Sequence, residues 1–391
     1  MDIEAMIRRR KRQDDESRLV GAYEPLSPAT HVEEPTDRGR LLEAMLDHVD
    51  PVFDGHLPPH GYLYGPKGAG KSAVVTALFS QLERQTVNPD TDIYTTTRVR
   101  PARLLRFVYV DTRRHTSEFA FFHALLDAIT DEAVPRHGIS TETLRSRLHR
   151  QLDATGAGIL LAVDHVGEPV SAPADALVDR FSALPSSVSW LAVGRTDPAE
   201  TVLTDYTAAA IRVDPYRHHV LVDLLLRRAA SALDSGALDE DAAVTIADWA
   251  GGDAHDALAA LFVATDRAAR ADRQTITDRD IAAAFQAVPP DCVALGRVFA
   301  LPENKQTVLR ALVDLDPAER ESVTVATAAV ADLTDLAEGT IKRYLYELAD
   351  VGIVDRVQAP EDGESGRPPS RLEPKFPPTV FRRLYDIERE S

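Results

Sequence analysis

The chain has 391 residues, which is enough for two or three domains that each bury a core of their own. Hydrophobic residues make up 44% of the sequence and charged residues 27%, as in globular proteins, and no window has the apolar length that a bilayer crossing needs. The composition therefore argues against a membrane protein. The only cysteine, Cys292, allows neither an internal disulfide nor a cysteine zinc cluster, so we expect a cytoplasmic protein.

The net charge is −18, and only six of the 44 basic residues are lysine. An excess of acidic charge keeps a protein soluble in concentrated salt, which is a device of halophiles. We therefore expect a salt-rich cytoplasm. The same excess argues against nucleic-acid binding over the whole surface, so any DNA contact has to come from a local basic patch.

The first 20 residues carry many charges and few apolar positions, which predicts a flexible basic arm. The arm contains the run Arg8-Arg9-Arg10-Lys11-Arg12. Contact with nucleic acid and a solvated tail without a partner are both open interpretations of this run.

Strands and helices are predicted to alternate from residue 21 to residue 213. The hydrophobic pattern indicates strands at 62–64, 105–111, 158–164 and 188–194, with helices at 40–49, 71–83, 117–132 and 141–153. Strands that alternate with helices are typical of a parallel sheet covered on both faces. The predicted fold class of this part is α/β.

Two further blocks follow. Residues 214–290 show Ala- and Leu-rich helical periodicity without a convincing strand, which indicates a helical domain. Residues 295–391 show short helices at 303–314, 324–332 and 338–350, and then two strand-like runs that flank a loop rich in Pro, Gly and charge. Helices followed by a two-stranded wing describe a winged helix.

The segment from Gly65 to Ser72 has the pattern G-x-x-x-x-G-K-S between a predicted strand and a predicted helix. Glycines allow backbone N–H groups to point at phosphates, Lys71 brings charge to the terminal phosphates, and the Ser72 hydroxyl can bind Mg²⁺. A structural turn without a nucleotide is the alternative. The residues predicted to bind the nucleotide here are Gly65, Gly68, Ala69, Gly70, Lys71, Ser72 and Ala73.

A carboxylate at the end of a neighbouring apolar strand is the expected second part of such a site, since it can hold the metal through water. Asp164 follows the apolar run from Ile159 to Val163 and fits this role. An aspartate that only caps a turn is the alternative. We predict that Ser72 and Asp164 form a Mg²⁺ site.

Several further segments along the chain add to this loop. They are Tyr23-Glu24-Pro25-Leu26-Ser27-Pro28, Asp37-Arg38, Val108-Tyr109-Val110-Asp111-Thr112-Arg113, Asp214-Pro215-Tyr216 and Gly252-Asp253-Ala254. The last two are more particular than the loop, which is generic to many ATPases. Together all these segments resemble archaeal replication initiators, which are AAA+ proteins related to the eukaryotic origin recognition complex and to cell division control protein 6. The resemblance covers roughly residues 20 to 385. It implies an AAA+ nucleotide-binding core, a helical lid and a C-terminal winged helix.

The resemblance also implies that Tyr216 and Arg228 contact the nucleotide, ATP or ADP, from the lid. Each residue has a simpler interpretation. A Pro-Tyr pair at a domain junction is often only packing, and an arginine late in a helix often complements the helix dipole.

The sequence departs from the family at positions that serve hydrolysis. Members usually have Glu directly after the metal-binding Asp, where it orients the attacking water. This chain has His165 there, with Glu168 three residues later as a group that could compensate. Thr196 aligns with a residue that is commonly Asn, His255 replaces a lid arginine, and no arginine occurs in Asp205 to Ala210, where a finger directed at a neighbour is expected. Because such groups are worth several orders of magnitude in phosphoryl transfer, we predict nucleotide binding with weak or lost hydrolysis. The candidate catalytic residues are Asp164 and Glu168.

The third block resembles the family's winged helix, with Gly339 to Leu345 as the candidate recognition helix. Ile341, Leu345 and Leu348 fall on one helical face, which leaves the other faces for DNA. A winged helix that only packs against protein is the alternative. The residues predicted to contact DNA are Thr340, Lys342 and Arg343 in the helix and Arg367 and Arg371 in the wing.

By resemblance, the protein binds double-stranded origin DNA to start replication or to recruit the replicative helicase. Its cofactors are ATP or ADP and Mg²⁺, and the departures suggest a divergent haloarchaeal paralogue. Two alternatives stay open. One is a true ATPase motor or loader, and the other is a DNA-binding regulator or interaction protein whose nucleotide is purely structural.

Overall fold

The computed structural model describes residues 19–30, 35–87, 104–169, 171–358 and 370–390. The predicted arm up to residue 18 and the wing residue Arg367 lie outside these ranges. The contacts divide the chain into two compact units. The first runs from His31 to Pro215, and the second joins the segment before His31 to the chain from Tyr216 onward.

The first unit is a five-stranded parallel sheet with helices on both faces. Its strands are β1 (Gly61–Tyr64), β2 (Leu105–Asp111), β3 (Gly158–Val166), β4 (Val188–Gly194) and β5 (Ala209–Arg212). Its helices are α1 (Gly39–Val49), α2 (Lys71–Val87), α3 (Glu118–Asp127), α4 (Thr141–Thr155) and α5 (Ala174–Ser182). The strand order is β2-β3-β4-β1-β5, and every neighbouring pair is parallel. The predicted α/β fold with a parallel sheet is confirmed.

The strand pattern of β3 shows why its sequence is a continuous apolar run. Ile159, Leu161 and Val163 lie in one hydrophobic cluster with residues of α3, α4 and α5. Leu160 and Ala162 lie in the other cluster, with residues of α1 and α2. A strand in a three-layer sandwich is buried on both faces, so neither set of alternating positions is polar.

Two elements differ from the sequence prediction. β5 has only four residues, of which none is fully buried, so its hydrophobic pattern is too weak to predict a strand. Its pairing with β1 defines it as a strand. The helix predicted at 117–132 ends at Asp127. The carboxylate of Asp127 accepts a hydrogen bond from the Val134 N–H at 3.0 Å, which stabilises the turn that follows the helix.

The second unit is helical and contains a two-stranded antiparallel sheet before its last helix. Its helices are α6 (His218–Ala232), α7 (Glu240–Ala250), α8 (Ala254–Arg270), α9 (Asp278–Ala287), α10 (Leu295–Phe299), α11 (Glu303–Asp314), α12 (Val323–Leu333), α13 (Glu338–Asp350) and α14 (Pro378–Glu390). Its strands are β6 (Val354–Gln358) and β7 (Ser370–Pro374). Short helices followed by this hairpin have the order of a winged helix. Among the described residues, no helix combines the length and the apolar composition that a membrane span requires.

One hydrophobic cluster connects all parts of the second unit, from Leu19 to Tyr385. The finer division into a lid at 214–290 and a winged helix at 295–391 stays a prediction. Leu19 and Val20, the last residues of the predicted arm, are part of this unit. Leu19 is buried, and Val20 forms an antiparallel bridge with Leu233 at the end of α6.

A buried carboxylate, Asp266, joins three segments of the second unit. It lies on α8, is 1% exposed, and forms an ion pair with Arg270 at 2.7 Å. The hydroxyl of Tyr23 and the guanidinium of Arg383 on α14 each lie 3.5 Å from its other oxygen. Buried charges persist only where they are paired and hydrogen-bonded, so these contacts fix the N-terminal segment and α14 on α8.

Leu161 and Leu46 offer a matched test of the assigned core, since their exposed fractions are 0% and 37%. We expect Leu161→Ala to lower the free energy of unfolding by about 3 kcal/mol, because the truncation leaves a cavity, and Leu46→Ala to lower it by less than about 1 kcal/mol. Denaturant titrations in a Trp249→Phe background, followed by Trp190 fluorescence, report on the first unit alone. Equal losses for the two leucines would contradict the assignment.

Candidate nucleotide-binding site

The loop between β1 and α2 has the backbone of a phosphate cradle. Gly65, Gly68 and Gly70 have φ angles of 157°, 68° and 81°, a region that favours glycine. At Gly65 the constraint is also spatial, because a Cβ atom there would lie 2.2 Å from the carbonyl oxygen of Val213. These glycines let the chain turn sharply from the sheet into the first turn of α2, and the N-terminus of a helix favours an anion.

Lys71 is the first residue of α2 and is 9% exposed. Its ammonium group donates to the carbonyl oxygens of Gly65 at 2.8 Å and Pro66 at 2.7 Å. The positive charge therefore lies inside the loop, where phosphate oxygens can replace or join these carbonyls. Ser72 and Ala73 continue the first helical turn and are half-buried. The structure thus brings together all seven loop residues that the sequence predicts.

Arg38 supports the loop from the N-terminal side. Its guanidinium donates to the carbonyl oxygen of Ala69 at 2.6 Å and to that of Asp214 at 3.1 Å. These two bonds connect the phosphate loop with the chain after β5. This role of Arg38 was not predicted, since both acceptors are backbone groups that leave no signal in the sequence.

Asp164 lies near the carboxyl end of β3 and is 1% exposed. One of its carboxylate oxygens accepts from the Tyr109 hydroxyl at 2.6 Å, and the other accepts from the His165 N–H at 2.6 Å. Burial, followed by the negative charge of Asp164, raises the pKa of Tyr109 well above its ordinary value, so this hydroxyl stays protonated and donates. Tyr109 was not predicted as a site residue. The sequence signal that could have identified it is the hydroxyl of Tyr109 within the otherwise apolar strand β2.

The surroundings of Asp164 fit an outer-sphere role toward Mg²⁺. An ionised carboxylate has about four lone-pair positions, and Tyr109 and His165 use two of them. Two positions are left for metal-bound water. Only β4 separates β3 from β1 in the sheet, so the two strands lie about 10 Å apart. That separation suits a metal ion bound directly by Ser72 and through water by Asp164.

Glu168 is 8% exposed and lies in a small ionic network beyond β3. One of its oxygens lies 3.2 Å from His165 Nδ1 and 2.9 Å from Arg195 Nε. Burial alone would raise the pKa of Glu168, but His165, Arg195 and Arg113 outweigh burial and lower the pKa from 4.5 to about 2. A carboxyl group with so low a pKa is a weak proton acceptor near neutral pH.

His165 has the left-handed φ of 63°, which is uncommon for a residue other than glycine. This backbone conformation turns its ring back toward the strand end, where Nε2 lies 3.7 Å from Asp164 and Nδ1 contacts Glu168. The residue in the position of the expected catalytic glutamate is therefore part of the ionic network.

The predicted lid residues belong to the second unit. Tyr216 is 7% exposed, and its N–H donates to the Gly252 carbonyl at 3.1 Å. Arg228 donates to the carbonyl oxygens of Pro25 at 2.7 Å and Thr30 at 3.1 Å. Arg228 therefore holds the segment before His31 on α6. Contact of Tyr216 and Arg228 with a nucleotide stays a prediction.

His255, which replaces the expected lid arginine, is buried and engaged. Its Nε2 accepts the Leu295 N–H at 2.9 Å, and its Nδ1 lies 3.0 Å from the carboxylate of Asp256. Because Nε2 accepts a hydrogen bond, the ring proton is on Nδ1, and this N–H donates a hydrogen bond to the Asp256 carboxylate. The side chain joins the start of α8 to the start of α10.

Of the predicted DNA-contacting residues, Thr340, Lys342 and Arg343 lie on α13 and Arg371 lies on β7. Ile341, Leu345 and Leu348 are buried, which confirms the predicted inner face of α13. Lys342 and Arg343 are exposed, and Thr340 is half-buried. Arg343 stacks on Tyr344, with 5.2 Å from its guanidinium carbon to the ring centroid, and Arg371 forms an ion pair with Glu373.

Comparison with known proteins agrees with this architecture. Residues 34–193 match the model of the AAA ATPase domain. The chain is 24% identical over 333 residues to ORC1-type DNA replication protein 1 of Sulfolobus acidocaldarius, which covers 80% of each chain. Among solved structures, the Aeropyrum pernix ORC1 protein in complex with DNA has a TM-score of 0.62 and 21% identity, covering 96% of this chain and 98% of that one. The Aeropyrum pernix ORC2 protein in its ADPNP-ADP complexes has a TM-score of 0.56 and 15% identity, covering 95% and 100%.

The first unit therefore contains an AAA ATPase domain, and the whole chain has the fold of the archaeal origin-recognition proteins. Its homologues include ORC1-type DNA replication proteins. The α/β core with a helical region and a C-terminal winged helix, as predicted from the sequence, is confirmed at the level of the fold.

The low pKa of Glu168 predicts a specific acid response. Its carboxyl pKa is lower in the folded protein than the ordinary 4.5, so its contribution to stability is complete above 4.5 and is lost as pH falls toward 2. A shift of this size corresponds to about 3 kcal/mol. We expect the stability difference between the wild type and Glu168→Gln, measured by thermal unfolding, to narrow over this pH range. A difference that is independent of pH would show that the network does not depend on an ionised Glu168.

Proposed function

We propose that this protein is an ATP-binding replication initiator of the origin-recognition type. The observation that carries the proposal is the phosphate loop, in which three left-handed glycines and the buried Lys71 ammonium lie directly at the start of α2. The Asp164 carboxylate lies two strands away, at the same edge of the sheet. Homologues named as DNA replication proteins support initiation as the biological role.

In this proposal the loop residues bind the phosphates of ATP or ADP. Ser72 and Asp164 hold Mg²⁺, which neutralises phosphate charge. Tyr216 and Arg228 complete the nucleotide site. The solved neighbour whose structure contains ADPNP and ADP supports a nucleotide of this class.

Turnover is proposed to be weak or absent. Glu168 is paired with Arg195 and His165 and has a pKa of about 2, so it is poorly suited to orient or deprotonate water. His255, which stands in the position of the expected lid arginine, is hydrogen-bonded to the Leu295 N–H and is not available to contact a phosphate. The bound nucleotide then controls the conformation of the protein and does not supply energy by hydrolysis.

The winged helix is proposed to bind double-stranded origin DNA. Thr340, Lys342, Arg343, Arg367 and Arg371 are the candidate contacts, and one solved neighbour is a complex with DNA. Because concentrated salt weakens phosphate contacts, binding in a salt-rich cytoplasm depends on base or shape readout. We further propose that the protein recruits the replicative helicase. Its source would be a haloarchaeon, and it would act at a plasmid or at a secondary replication origin.

Substitution of Lys71 tests the nucleotide site. We expect Lys71→Ala to weaken ADP and ATP binding at least about tenfold, because charge-assisted hydrogen bonds to the phosphates are lost. Calorimetry in molar KCl with Mg²⁺ measures the affinities. Lys342→Ala, an exposed lysine on α13, is the matched control and should leave them unchanged. Folded wild-type protein that takes up no adenine nucleotide would overturn the proposal.

The same pair of variants tests DNA binding, with their roles exchanged: Lys342→Ala is the test and Lys71→Ala is the control. We expect Lys342→Ala to weaken duplex binding and to reduce the slope of log affinity against log salt by about one, since one phosphate contact is removed. Fluorescence anisotropy at several KCl concentrations measures this slope. Chromatin precipitation in the native host identifies the duplex, and enrichment at promoters instead of replication origins would favour a regulator.

A further inference from the structure

Tyr109 lies on β2 and shares one face of the sheet with Asp164 on β3. In the parallel ladder, Tyr109 is the partner of Ala162, and Asp111 is the partner of Asp164. Tyr109 and Asp164 are therefore diagonal neighbours, with about 8 Å between their Cα atoms. An aromatic side chain can span this distance, and the Tyr109 hydroxyl reaches the Asp164 carboxylate at 2.6 Å.

This face of the sheet is the one that α2 covers. Ala162 lies in one hydrophobic cluster with Val74 of α2, and the Tyr109 ring packs against the same cluster. Asp164 comes two residues after Ala162, so its side chain leaves β3 on this face as well. α2 carries Ser72 in its first turn. The Tyr109 ring is thus fixed beneath the phosphate-loop helix, while its hydroxyl holds the carboxylate of the predicted metal site.

Two donors hold the two oxygens of the Asp164 carboxylate. The His165 N–H belongs to the next residue, so it fixes one oxygen relative to the local backbone at 2.6 Å. The Tyr109 hydroxyl comes from another strand and fixes the second oxygen relative to the sheet. The Thr112 hydroxyl donates to the Asp164 carbonyl oxygen at 2.7 Å, so the backbone at Asp164 is held without Tyr109. The specific effect of Tyr109 is on the orientation of the carboxylate.

We propose that Tyr109 is a positioning residue for the Mg²⁺ of the nucleotide site. It acts through Asp164, whose free lone pairs it keeps in the orientation that receives metal-bound water, and it contacts neither the metal nor the nucleotide. This inference rests on the proposed function and on Ser72 and Asp164 as the metal-binding residues. It adds a residue from a third segment of the chain to that site.

Two physical arguments favour this assignment. Hydrogen-bonded partners of metal-binding carboxylates orient them, and loss of such a partner typically weakens metal affinity about ten- to a hundredfold. A carboxylate that is already held in one orientation also loses less conformational freedom when the metal binds. Both effects concern the metal and not the phosphates.

The simpler role for Tyr109 is to satisfy a buried carboxylate, since Asp164 is 1% exposed. Loss of the hydroxyl would then lower stability alone. Any damage to nucleotide binding would be general and would be equal with and without Mg²⁺. The ratio of the affinities in the two conditions therefore separates positioning from stabilisation, because by linkage it changes by the same factor as the metal affinity of the nucleotide complex.

The test measures binding of a non-hydrolysable ATP analogue by calorimetry on the full chain in molar KCl, once with Mg²⁺ and once with EDTA. We expect Tyr109→Phe to lower the ratio of the two affinities about tenfold and to change the affinity in EDTA less than about twofold. Tyr206→Phe, which removes the hydroxyl of a tyrosine that is 54% exposed, is the matched control and should change neither affinity.

A second variant keeps the test valid if Tyr109→Phe folds poorly. Asp164→Asn removes the buried charge that needs the hydroxyl, and it should lower the same ratio by itself. Adding Tyr109→Phe to Asp164→Asn should lower the ratio no further, because Tyr109 acts through this carboxylate. Independent losses in the two variants, or an unchanged ratio in Tyr109→Phe, would overturn the role of Tyr109.

The wild type separates this role from the proposals on which it rests. Wild-type protein that binds the analogue in neither condition would overturn the proposed function itself. Wild-type protein that binds the analogue equally well with Mg²⁺ and with EDTA would overturn the metal site, and the role of Tyr109 with it.

Discussion

Parallel pairing of β1 with β4 and of β4 with β3 is the constraint on which the candidate site depends. It brings the carboxyl ends of three strands to one edge, so the phosphate loop, Arg195 and Asp164 become neighbours although about 100 residues separate the first from the last. The pairing is fixed because each central strand is buried on both faces. A shift of one residue would move every side chain to the opposite layer.

Protein donors contact the two buried carboxylates at this edge of the sheet. Both Asp164 oxygens have protein donors, and Glu168 is paired with His165 and Arg195. The ion pairs keep Glu168 ionised and lower the cost of its burial. In the function we propose, this pairing accounts for weak or absent hydrolysis, and nucleotide binding acts as a conformational signal.

The second unit is organised by one continuous core. The N-terminal segment is attached to it by Val20, by the buried Leu26 and by two backbone acceptors of Arg228. The Asp266 network adds α14 to the same core. The helical region and the C-terminal block therefore form one compact unit with a continuous hydrophobic interior.

The sequence alone determined the features that depend on neighbouring residues. Four of the five strands, the helical blocks, the phosphate loop and Asp164 were predicted, since hydrophobic period, glycine spacing and strand-end polarity are local signals. The tertiary structure decided what depends on partners distant in the chain. β5 is defined by its pairing with β1, and Arg38 and Tyr109 acquire their roles through contacts with distant segments. Arg195 meets Glu168 because β3 and β4 are neighbours in space, an order that no local pattern encodes.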